Sequence, residues 1–420
     1  MKSWKKAFIA LLSIVCLLVA AYFGFFLVRT VFPVTMEPPR LDTQELFEHE
    51  EVVEEPVEEE PEPEEVLPVE EPVEEEDPLE QKARVHLLQM TLEQKLWQMI
   101  FTTPDDLTGV PGATEAGELT RQALEQFPVG GLCYFGANLE DDDQIAAMLA
   151  GTMSFAETPL FLSVDEEGGL VSRLGANENV SVGDIGPAAN FTNPDEVYTA
   201  ACGLAGQLKN LGFNVDFAPV ADLAGQGNPE IGTRAYAADP GTVAQLSASM
   251  VRGLQENGVA ACLKHFPGHG SAQSDAHEER SVSTRTPEQL RAEEFVAFSG
   301  GIGEDVKFVM MSHLTNEALS PHPSSLSPET VSLLRKELGY DGLIITDSLK
   351  MRAIVDYYTS AQAAVMAIAA GCDMILMPNS VEVAYNGLVS AVLDGTLTQE
   401  RIDESVMRIL MTKLELGIME

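Results

Sequence analysis

Between Lys264 and His277 the sequence reads KHFPGHGSAQSDAH, three histidines, a lysine and an aspartate within fourteen residues. Imidazole and carboxylate groups at this density hold metals or move protons. His265 and His269 have a metal-ligand gap, but Pro267 and Gly268 prevent the helix that would set both on one face. A metal site from His265, His269, His277 and His313 stays open as one reading. Asp275 and His277 suit another. A carboxylate beside an imidazole fixes its tautomer and favours the protonated form, so the histidine can give a proton to a leaving group and take one back. Asp347, which ends LIITD and precedes Ser348, is the complementary candidate, an anionic nucleophile. One such aspartate and one proton shuttle are the minimum for retaining glycoside hydrolysis through a glycosyl-enzyme intermediate. Read alone, Asp347 is equally a helix N-cap after a strand.

These groups need a scaffold that brings distant segments together. From residue 81 onward, short apolar runs alternate with amphipathic stretches. The runs are QMIFT, GGLCYF, LFLSVD, NVDFAPV, AACLKH, KFVMMSH, LIITD and CDMILM. MTLEQKLWQMI opens with a capping box, Thr91 to Gln94. Residues 360–370 form an alanine-rich helix ended by Gly371, and a last helix spans 399–415 after Thr398. Eight strands alternating with helices predict an α/β fold, a closed (β/α)8 TIM-like barrel. An open doubly wound sheet is the alternative, but no G-x-G-x-x-G turn follows the first run. The barrel is favoured by where the chemistry falls. Asp165, the Lys264–His265 pair, His313 and Asp347 each close a strand, and such barrels carry their sites at the C-terminal strand ends.

Ahead of this domain the composition changes twice. Residues 1–36 hold Lys2, Lys5, Lys6 and Arg29 and no acid, and Ala7 to Val28 is an uncharged run of 22 residues. About 20 such residues span a bilayer, and preceding lysines keep the N-terminus cytoplasmic. An uncleaved membrane anchor is expected, with the rest of the chain outside; the alternative is a cleaved signal ending at Ala21. Residues 37–80 hold 21 Asp or Glu and a single Arg40, with frequent proline, which predicts a disordered linker. At about 3 Å per residue it reaches on the order of 100 Å. The barrel domain is then 81–420. A net charge of −41 argues against nucleic acid as a partner. The five cysteines show no ligand or disulfide spacing and read as buried thiols.

Residues 85 to 415 resemble family 3 of the glycoside hydrolases, in its single-domain β-N-acetylglucosaminidase branch. The signatures are MTLEQKLWQMI, VDEEGGLVSRL, NVDFAPVAD, IGTRAY, KHFPGHG with SDAH, LIITDSLKM and AGCDMILM, in the family's order. The resemblance implies Asp347 as nucleophile and His277, assisted by Asp275, as acid/base. It implies that Asp165, Arg173, Arg234, Lys264 and His265 hold the terminal sugar. Carboxylate, guanidinium and ammonium groups suit sugar hydroxyls and an acetamido carbonyl. Two positions depart from the family: Ser271 stands where Asp is usual, and Glu166 where Gln is common. The family's β-glucosidases usually bring a carboxylic acid/base from a second domain, which is not expected here. The expectation is a membrane-anchored, extracytoplasmic, monomeric β-N-acetylglucosaminidase of cell-wall fragments or related amino-sugar glycans, with no cofactor and no metal. Rival readings are a relative that passes the glycosyl group to phosphate or takes another β-glycoside, and a silent wall-glycan-binding module. A metallohydrolase is disfavoured by the lack of H-x-H in the first strand.

Overall fold

The structure, a computed structural model, describes residues 77–225, 228, 230–272 and 281–420. The expected anchor and nearly all of the expected linker lie outside the described residues. Among the described residues no helix is long and apolar enough to cross a membrane. The first helix, Pro78–Gln89, starts inside the stretch assigned to the linker, so the boundary at 81 falls three residues late. Asp77 caps it by accepting from the Leu79 amide at 2.9 Å, and Pro78 supplies a preset φ at the first helical position.

Eight parallel strands close into a barrel: β1 (Ile100–Thr102), β2 (Gly131–Tyr134), β3 (Phe161–Val164), β4 (Val215–Asp216), β5 (Ala260–Phe266), β6 (Phe308–Met311), β7 (Leu343–Ser348) and β8 (Met374–Leu376). Each pairs with its sequence neighbours, and β8 returns to β1 through Ile100 opposite Ile375. Six of the predicted runs contain a whole strand, and AACLKH and LIITD each stop one residue short of theirs, at His265 and Asp347. Helices cover the outside, so the strands are buried on both faces and read as unbroken apolar runs. The capping box at Thr91, the helix Ser360–Ala370 with Gly371 in the left-handed region, and the helix Gln399–Glu415 after Thr398 form as expected.

The interior is packed with rings rather than hollow. Phe101 lies 5.5 Å from Phe217 and 6.5 Å from Phe161, and Phe161 meets Phe308 edge-on at 5.1 Å. A glycine in β2 makes this fit, because a Cβ on Gly131 would come within 2.4 Å of the Phe101 ring. With the centre filled, polar groups gather at the ends of the barrel, and in folds of this kind the C-terminal rim carries the site.

Candidate active site

At the end of β3, Asp165 leads into a short antiparallel hairpin, Glu166–Gly168 with Val171–Ser172. Gly168 turns it at φ 87°, and a Cβ there would strike the Gly186 carbonyl at 2.4 Å. The hairpin delivers three groups to the rim: Asp165, Glu167 and, just after its second strand, Arg173. The Arg173 guanidinium carbon lies 5.6 Å from the centre of the Phe135 ring, which follows β2.

Lys264, in β5, reaches across to this hairpin. Its Nζ donates to Asp165 Oδ1 at 2.8 Å and lies 2.6 Å from Glu167 Oε1. Glu167 in turn receives Arg234 in a two-pronged pair, Nε to Oε2 at 2.8 Å and Nη2 to Oε1 at 2.9 Å. Charges therefore alternate along the chain Asp165, Lys264, Glu167, Arg234. Lys264 and Glu167 are buried, and a lone charge there would be costly. Burial pushes the Glu167 carboxyl up, but Lys264 and Arg234 outweigh it and bring the pKa down to about 2. Burial opposes the Lys264 ammonium in the same way, and Asp165 and Glu167 hold its pKa above the ordinary lysine value. Glu167, Lys264 and Arg234 stay charged near neutral pH.

A second cluster adjoins the first. His265 donates from Nδ1 to Asp222 Oδ2 at 2.7 Å, which fixes its tautomer, and the His269 amide donates to Asp222 Oδ1. His269 Nε2 meets Glu230 Oε2 at 3.1 Å. Burial works against the His269 imidazolium, yet the bond to Glu230 and the charges of Asp222, Glu230 and Asp347 raise its pKa. His313, two residues beyond β6, donates from Nε2 to the Ser348 carbonyl at 2.9 Å and accepts the Ser325 hydroxyl at Nδ1, 2.7 Å. It braces the end of β7 through the Ser348 carbonyl. Among the described residues no group of three or more His, Cys, Asp or Glu is arranged so that it could hold a metal ion.

Asp347 stands in β7 with Oδ1 accepting the Ser348 amide at 2.7 Å, and its charge is among those felt at His269. Lys264 joins Asp165 to Glu167, which also binds Arg234, and His265 is bonded to Asp222. Arg173 approaches by way of the hairpin. Asp275 and His277 lie outside the described residues. Sequence reasoning singled out neither Glu167 nor Asp222 nor Glu230, although DEEGG and APVAD contain the first two. The missing signal was that a buried lysine and arginine on one rim must have carboxylates between them.

Such a rim can hold a neutral polyhydroxylated ligand, because fixed carboxylates and cations offer acceptors and donors in directions that hydroxyls match. With Asp347 at the end of β7 on the same barrel, the class is a barrel enzyme of the glycoside hydrolase kind. Residues 91–412 match the glycosyl hydrolase family 3 N-terminal domain, and the chain belongs to that family, whose members act on O-glycosyl bonds. A beta-hexosaminidase of Stenotrophomonas maltophilia (strain R551-3) is 35% identical over 291 residues, 67% of this chain and 86% of that protein. One from strain K279a is 33% identical over 331 residues, 73% of this chain and 98% of that protein. The solved structure of a glycoside hydrolase family 3 beta-N-acetylglucosaminidase from Paenibacillus sp. str. FPU-7 superposes with a TM-score of 0.73 at 36% identity. That match covers 78% of this chain and spans 63% of the Paenibacillus chain.

Proposed function

We propose that the domain is a retaining β-N-acetylglucosaminidase that removes terminal N-acetylglucosamine from cell-wall fragments or related glycans. The observation that carries this reading is the rim on which Lys264 and Arg234 are held charged by Asp165 and Glu167, with Asp347 closing β7. The names of the relatives point the same way for the sugar. In this reading Asp165, Arg173, Arg234, Lys264 and His265 hold the sugar. The Asp347 carboxylate attacks the anomeric carbon while the glycosidic oxygen departs with a proton from His277, oriented by Asp275. Water then attacks the glycosyl-aspartate, giving its proton to His277, and the sugar and Asp347 are released. The histidine roles rest on the motif resemblance. The protein works as a monomer, held to the outer face of a membrane by residues 1–36, with residues 37–80 as spacer.

The test compares nitrophenyl β-N-acetylglucosaminide with the matching glucoside, with and without phosphate. The N-acetylglucosaminide should be cleaved with much the higher kcat/KM, and phosphate should change neither rate nor product. Equal rates would remove the amino-sugar assignment. A sugar phosphate as product would make the enzyme a phosphorylase.

A further inference from the structure

We infer that Glu166 is a positioning residue for this reaction: its buried carboxylate shapes the turn that aims Arg173 into the sugar site. The inference deepens the N-acetylglucosaminidase reading and rests on it. Glu166 is 1% exposed. Its Oε2 accepts the backbone N–H groups of Arg173 at 2.8 Å and Leu174 at 2.7 Å. Its Oε1 accepts the Ser172 hydroxyl and, at 3.2 Å, the Gly175 N–H. Four consecutive residues are thus gathered round one carboxylate, with Arg173 among them. The Glu166 amide itself donates to Asp216 Oδ1 at 3.0 Å, which ties the base of the hairpin to β4.

The two site arginines are set in different ways. Arg234 is clamped at its guanidinium by Glu167. Among the described residues Arg173 has no ion pair; its Nε is buried without a partner, and its recorded side-chain contact is the Phe135 ring. The direction of Arg173 is therefore fixed from its backbone, and Glu166 is what fixes the backbone. The carboxylate accepts from three backbone N–H groups and one hydroxyl. Glutamine, common at this position in the family, keeps an acceptor oxygen for Arg173 and Leu174 and can donate its NH2 to the Ser172 hydroxyl, so it gives up only the long bond from Gly175. Alanine loses all four bonds, and the turn would move to recover them. A displacement of about 1 Å at a sugar-holding group can cost on the order of 100-fold in rate.

The test is a double-mutant cycle in the full-length protein with Glu166→Ala, Arg173→Ala and the double variant. Its readouts are kcat and KM on nitrophenyl β-N-acetylglucosaminide, Kd for N-acetylglucosamine by calorimetry, and Tm. Glu166→Ala should lower kcat/KM by about 10- to 100-fold, with both KM and the sugar Kd raised, while the conservative Glu166→Gln should stay within about threefold of wild type. In the Arg173→Ala background Glu166→Ala should cost less than about threefold, because the group that Glu166 positions is gone. Equal losses in both backgrounds would overturn the inference and leave Glu166 a merely structural residue. Should Glu166→Ala fail to fold, Ser172→Ala removes one of the four bonds and should show a smaller loss with the same dependence on Arg173. A wild type that prefers another glycoside would overturn the substrate reading, and the cycle run on that glycoside would still decide the role of Glu166. A wild type that neither hydrolyses nor binds sugar would overturn both.

Discussion

Two lysines are buried at opposite ends of the barrel, and they are treated in opposite ways. Lys264, at the C-terminal end, sits between Asp165 and Glu167, with its pKa raised. Lys413, fully buried at the N-terminal end, donates to Gln98 Oε1 at 2.6 Å and lies 5.0 Å from the centre of the Phe161 ring. Burial there lowers its pKa to about 7. The fold can bury a lysine with or without counter-charges. Of the two lysines only Lys264, at the end where the proposed ligand would sit, is given carboxylates, and that difference sets the rim apart in a way that burial alone does not.

The same contrast holds for aspartates, and it gives the largest expected effect. Asp347→Ala should lower kcat/KM by about 10,000-fold or more on every substrate, because the covalent route is gone, with the fold intact by circular dichroism. At the other end Asp373, just before β8, is fully buried and accepts Arg335, Arg408, Ser405 and the Ile344 amide. Removing it strands those donors, so Asp373→Ala should cost about 3–5 kcal/mol of stability in denaturant unfolding. The kcat of its folded fraction should stay near wild type. An Asp347→Ala enzyme with substantial turnover would break the comparison at its strongest point.

Lys264→Met comes next. It should lower kcat/KM by about 100- to 1,000-fold, the scale for losing one fixed donor at a reacting site. It should also destabilise, since Asp165 and Glu167 would face each other without their cation. A variant that lost stability but kept its KM and kcat would demote Lys264 to a structural residue.

Glu167→Gln is expected to be milder, about 10-fold in kcat/KM, because Asp165 still holds Lys264. Its sharper reading is against pH. The Glu167 carboxyl titrates at about 2 in the fold against an ordinary 4.5, so its stabilisation is complete above pH 4.5 and disappears as pH falls towards 2. That difference is worth about 3 kcal/mol. Wild type should therefore lose stability more steeply than Glu167→Gln across this window in acid-unfolding curves. Parallel curves would mean that Glu167 is not the ion that holds the cluster.

How much of this could be read in the sequence follows from range. The eight strands were legible because doubly covered parallel strands become continuous apolar runs, and their rim because charged residues close several of them. Strand lengths were less so. NVDFAPV reads as seven residues, yet β4 is Val215–Asp216, with only Val220 bridging to Lys264 beyond Pro219, which has no N–H to donate. The start of the first helix was hidden because its cap, Asp77–Pro78, sits within the Glu/Pro composition of the linker. The partners were the hardest. Glu167 and Arg234 are 67 residues apart, Asp165 and Lys264 99, Asp222 and His265 43. No local pattern announces such pairs, since they exist only once the barrel has closed.

The smallest effect on activity, and the best test of what the N-terminal lysine is for, belongs to Lys413→Met. Lysine and methionine have similar length, so the change removes the ammonium while largely filling its space. It leaves Gln98 Oε1 without its donor, although Gln98 Nε2 still donates to the Pro128 carbonyl at 3.1 Å. Against that loss of about 1 kcal/mol stands relief from burying a charge. Between pH 7 and 10.5 the unfolded chain keeps a proton on Lys413 that the folded chain has released, so wild-type stability gains from this group as pH rises through that window. Below pH 7 both states are protonated and the fold bears the full penalty, about 3–5 kcal/mol. The variant has no such group. Its advantage over wild type in denaturant unfolding should be largest at pH 6, shrink through pH 8 and vanish or reverse by pH 10. Its kcat/KM should stay within about twofold throughout, because nothing at the C-terminal rim has changed. An advantage constant with pH would show that Gln98 and the Phe161 ring already satisfy the ammonium. Lys413 would then be as well paired as Lys264, and the contrast between the two ends would no longer separate function from packing.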